Sequence, residues 1–106
     1  MTEQDELKHI IAYRLHHLRK DLITSQKLVE LASVAKNCAA LTHANFAVEL
    51  ANEAISHLEA AQQSAQAGED AGRTTALYEE AEQEHAGCGE NIEEAFNELI
   101  KAVSSI

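Results

Sequence analysis

The sequence predicts an all-α fold: a compact helical bundle of about four to six helices, with an acidic, Ala-rich helical hairpin. Three observations carry this. The 106 residues include no Pro and only four Gly, so little interrupts a helix. Ala, Leu, Glu and Gln, whose side chains lose little freedom in a helix, are abundant. The alternation of Val, Thr and aromatic residues that marks a half-buried strand is absent. The length suits one helical domain, residues 1-106, with one core.

Taken in order, Thr2 with Asp5 reads as a capping box. Leu7, Ile11, Leu15, Leu18 and Leu22 then recur at three- and four-residue steps, with Ile10 widening the stripe. At Thr24-Ser25-Gln26 the stripe changes phase, and Leu28, Leu31, Val34 and Ala35 form a second short face, which predicts a kink or turn. Residues 37-42 read as the next connection, with Thr42 capping a helix that carries Phe46, Leu50, Ala54, Leu58 and Ala61. Gly68 is placed to end that helix in the left-handed conformation, and residues 68-72 form the loop. Thr74 or Thr75 starts a helix through Leu77, Tyr78, Ala81 and His85, which Gly87-Cys88-Gly89 breaks or bends. Asn91 with Glu94 starts a last helix through Ile92, Ala95, Phe96, Leu99, Ile100 and Val103.

Large apolar side chains are missing from 59-76 and again from 79-91. Each such side chain contributes about 1.5-3 kcal/mol when buried, so the middle of the chain has little driving force of its own. The expectation is a well-packed body from residues 7-58 and 92-103, with the hairpin beyond it. Alanines 60, 61, 65, 67, 76, 81 and 86 would let its two helices approach closely.

The formal net charge is -10, and it is unevenly placed. Residues 1-36 carry six basic and five acidic groups; residues 37-106 carry two and thirteen. So acidic a surface repels phosphate backbones and anionic headgroups, which argues against direct binding of nucleic acid or membrane. The first six residues lack the basic and apolar regions of a signal peptide, and no apolar run approaches a membrane span. Two cysteines fifty positions apart are no disulfide framework, so the expected compartment is the cytoplasm.

Several constellations are candidates for chemistry. Glu82 and His85, an i, i+3 pair, would project to one side of a helix as in di-iron bundles, with Glu49 or Glu53 as partner. The stretch 79-86 is similar to the metal-binding helix of ferritin-like proteins, which implies a metal-binding module using Glu53, Glu82 and His85 as an alternative reading. Glu6 and His9 repeat the spacing. Cys38 with His43 and His85 with Cys88 have the ligand count of tetrahedral zinc, but not the usual half-site spacing. Cys38 otherwise reads as a small buried residue, and Cys88, between two glycines, as exposed. His16-His17 beside Arg19-Lys20 reads as a solvated face, with Asp21 its nearest carboxylate at helical spacing. No phosphate loop or nucleophile motif is present, so neither catalysis nor a cofactor is expected.

The acidic tract remains. Ten carboxylates and one cation, Arg73, lie between Glu69 and Glu98. Carboxylates on adjacent turns suit a Lys/Arg-lined groove, including one evolved for nucleic acid. Glu79, Glu80, Glu82, Glu84, Glu90, Glu93 and Glu94 are the candidate contact face. In size, acidity and helical make-up the chain resembles the helical anti-CRISPR proteins that act on type I systems. The resemblance implies a non-catalytic inhibitor, encoded by a phage or mobile element and working in the bacterial cytoplasm. It would occupy a basic surface of a CRISPR effector or nuclease, as a monomer or weak homodimer. A third reading is a structural helical module that dimerises through an apolar edge.

Overall fold

The computed structural model describes residues 3-104, with side chains from residue 5 onward. Thr2 of the expected capping box lies outside them. Three helices follow one another: α1 (Glu3–Val34), α2 (Cys38–Gln66) and α3 (Ala71–Ser104). They run up, down and up along a rod of 57 × 19 × 16 Å. The helix α2 packs against both others, and α1 and α3 touch each other least.

Three helices replace the expected four to six, because two expected breaks are continuous helix. In α1 the buried series Ile11, Leu15, Leu18 does not stop at Ser25; it passes through that serine to Leu28 and Ala32. The Ser25 hydroxyl is satisfied within the helix, donating to the Asp21 carbonyl at 2.8 Å, so it can occupy a core position without disrupting the backbone. In α3 the Gly87-Cys88-Gly89 segment is helical, and Cys88 is wholly buried. A Cβ at Gly87 would stand 3.0 Å from Leu50 Cδ1. That glycine admits a neighbouring side chain rather than ending the helix. Asn91 starts nothing: its amide donates to the Gly87 carbonyl in mid-helix at 2.9 Å.

The helix ends also shift. Asn37, not Thr42, caps α2, its side chain accepting from the Ala40 N–H at 3.0 Å. The Thr42 hydroxyl donates to the Cys38 carbonyl one turn inside. Lys36 takes the left-handed conformation that closes α1, at φ 55°. Gly68 does this for α2 as expected, at φ 72°. The third helix begins at Ala71, with the Asp70 carboxylate accepting from the Gly72 N–H. Thr74 is instead a buried contact, its hydroxyl 2.9 Å from that of Ser64 across α2 and α3.

One repeat unites the helices. In α2 the buried apolar positions are Ala40, Ala44, Ala47, Ala51, Ala54, Leu58, Ala61 and Ala65, with the polar Ser64 buried beside the last of them. Steps of four and three alternate without exception, the spacing of a left-handed coiled coil. Thr74, Ala81, Cys88 and Ala95 keep the same seven-residue beat in α3. The small side chains let helices approach closely, and the larger residues of α1 fill the remaining space. Consequently residues 59-91 do not lie beyond the body: Leu58, Ala61, Ala81 and Cys88 share one buried cluster with Ile11, Leu15 and Leu18. A smaller cluster of Leu28, Ala44 and Ala95 closes the end with the α1/α2 turn. There the Asn37 amide donates to the Glu98 carbonyl, tying the turn to α3.

Candidate functional site

The outer side of α3 holds the acidic face. Glu79, Glu82, Glu90 and Glu93 follow an i, i+3, i+11, i+14 series, which sets them along one side of the helix over about 21 Å. Glu94 lies one turn beyond Glu90. Glu79, Glu90, Glu93 and Glu94 are exposed and make no ion pair among the described residues.

The other three predicted contact residues are committed within the chain. Glu82 meets Arg14 at 3.3 Å. Glu84, mostly buried, holds His57 Nδ1 of α2 at 2.6 Å, and Glu80 stands 3.8 Å from Nε2 of the same ring. The short bond to Glu84 raises the His57 pKa above 6.5, against the opposing effect of burial; the charges of Glu84, Glu80 and Glu53 add to the rise. The seven carboxylates therefore divide into four free outer charges and three that fasten α3 to its neighbours.

A polar cluster that the sequence reading missed joins α1 to α3. Arg14 Nε donates to the Tyr78 hydroxyl at 2.9 Å, and the guanidinium lies over that ring, 5.2 Å from its centre. Nη1 of Arg14 reaches His85 Nδ1 at 3.1 Å, and His85 Nε2 reaches Asp21 at 2.6 Å. A guanidinium only donates, so Nδ1 is the acceptor and Nε2 carries the proton given to Asp21. Here Tyr13, Arg14, His17, Asp21 and His85 line an open groove of about 350 Å³. The available signal was a matched spacing: Arg14 and Asp21 are seven apart, as are their partners Tyr78 and His85. Two parallel helices in register pair residues in that way.

The residues of the metal reading are not assembled. Glu82 and His85 face Arg14 on α1, where a guanidinium occupies the place a cation would take. Glu53 acts instead on His57. Among the described residues no group of three or more His, Cys, Asp or Glu side chains is arranged to hold a metal ion. The two cysteine-histidine pairs stay apart as well. His43 bonds Asn91 at 3.0 Å, and both thiols are free. Their expected burial is reversed: Cys38 is exposed at the start of α2, and Cys88 is buried 3.8 Å from the Ser25 hydroxyl. Burial pushes the Cys88 thiol pKa up, which keeps it protonated and a poor nucleophile.

No protein-family model, curated protein or solved structure matches the chain. No helix among the described residues is long and apolar enough to cross a membrane.

Proposed function

We propose that this protein is a non-catalytic binding module that lays the outer face of α3 on a basic surface of a partner protein. Glu79, Glu90, Glu93 and Glu94 supply the contact charges, with Glu82 at the edge. The observation that supports this is their division from the other carboxylates: these four are exposed and unpaired, on a helix whose opposite side is anchored in the core. A straight row of fixed negative charge is complementary to a surface that tracks a phosphate backbone. The partner class this suits, in keeping with the anti-CRISPR resemblance, is a nucleic-acid-handling component of a type I interference complex in the bacterial cytoplasm.

The test is titration of a purified type I interference complex with this protein, reading association and displacement of target DNA. Binding should weaken with added salt and fall by tenfold or more, about 1.4 kcal/mol, in the E79K/E90K/E93K triple variant. The variant should keep its helical circular dichroism, since none of the three side chains is buried. Association indifferent to both salt and charge reversal would remove the electrostatic reading.

A further inference from the structure

At the end of the rod that carries the α1/α2 turn, an open apolar groove of about 590 Å³ lies between the last turns of α1 and α3. Leu31, Phe96, Ile100 and Val103 line it, and Val34 adjoins Leu31 on the same end. All five are exposed, Ile100 by 60%, Val103 by 70% and Val34 by 84%. Exposed large apolar residues elsewhere, such as Tyr13 and Phe46, lie outside this groove, whereas here five are gathered at one end of the rod. We infer that a second copy of this chain covers this groove, in a two-fold dimer that apposes the two grooves.

Area supports that occupant. The exposed surface of these five residues, only part of which faces into the groove, totals on the order of 500 Å². The apolar share of a standard homodimer interface, about 65% of roughly 800 Å² per partner, is of the same size. Charge agrees with it. The surroundings carry both signs, with Lys27 and Glu30 beside Leu31 and a Glu98–Lys101 pair at 3.3 Å on α3. A two-fold contact sets each residue against its counterpart's neighbours, so a mixed-sign rim can complement itself. The densest acidic stretch, Glu79 to Glu84, is 16 or more residues from Ile100 along α3. That is about 24 Å, well beyond the ~8 Å screening length at physiological salt, so the repulsion that salt must screen between two copies here is that of the nearer Glu93 and Glu94, seven and six residues from Ile100. A basic partner helix finds no uniformly acidic rim here.

Sedimentation velocity or light scattering of the full chain tests this. At concentrations around 100 μM the mass should be twice 11.6 kDa, and the dimer should persist or tighten as salt is raised to about 0.5 M. Ile100→Lys and, separately, Val103→Lys should each weaken self-association at least tenfold while helical circular dichroism is retained. Phe46→Lys, at an exposed aromatic of α2 outside the groove, should leave it unchanged. A monomer throughout this range overturns the proposal. So does a dimer untouched by both groove substitutions, or one that dissolves in salt. Since the acidic-face reading predicts the opposite response to salt, the two can fail separately.

Discussion

His57 is the residue at which protonation and helix packing meet. It comes from α2 and faces Glu84 and Glu80 of α3, with Glu53 one turn before it on its own helix. Its pKa is raised in the folded protein, so the folded state holds the proton more tightly than the unfolded chain does. The resulting stability is present in full below about pH 6.5 and is lost as pH rises through the higher folded value. Denaturant unfolding should accordingly show a midpoint that falls as pH rises above about 6.5, and His57→Gln should flatten that fall. An equally steep fall in the variant would assign the effect to another group. Residue types alone did not reveal this pair: six histidines and fifteen glutamates offer many combinations, and only the helix register selects one. The same selection moved Cys88 into the core and Cys38 out of it. Flanking glycines suggested a break or bend, but glycine within a helix also marks a close approach, as Leu50 against Gly87 shows.

At the scale of the element, the helices are longer than their apolar stripes suggested. Charge, Gly68 and helical composition were all legible. The continuity was not, because Ser25, Thr74 and Cys88 occupy seam positions without the hydropathy that marks a seam. A seven-residue spacing carried by small and hydroxylated residues is invisible to a search for Leu, Ile and Val. It is nevertheless what positions α3 and turns its four free carboxylates outward. Two substitutions test this packing. Ala61 is completely buried, so Ala61→Leu should destabilise by about 1-3 kcal/mol or more through overpacking. Gly89 sits inside α3 with nothing within 4 Å of a Cβ, so Gly89→Ala should stabilise by about 0.5-1 kcal/mol. Thermal unfolding measures both. A tolerated leucine at position 61 would mean that α2 and its neighbours are less tightly apposed than the structure has them.

For the whole molecule, charge and shape act together. A net charge of -10 on a rod 19 × 16 Å across keeps like charges within reach of one another. Ion pairs across the helices offset only part of that repulsion. Salt should therefore stabilise the fold: Tm should rise between about 0.01 M and 0.5 M NaCl, where the screening length shrinks from ~30 Å to only a few ångströms. A Tm that falls instead would mean that Arg14 and His57 contribute more than the acidic surface takes away.

An odd number of antiparallel helices has its own consequence. The described chain enters at the end where α2 meets α3 and leaves at the end where α1 meets α2, so Glu3 and Ser104 stand at opposite ends of the 57 Å rod. A domain fused ahead of α1 and another fused after α3 would be held apart by a stiff strut instead of brought together. Fluorophores attached at the two ends would report one fixed distance, and tension applied between them would pull along the helix axes.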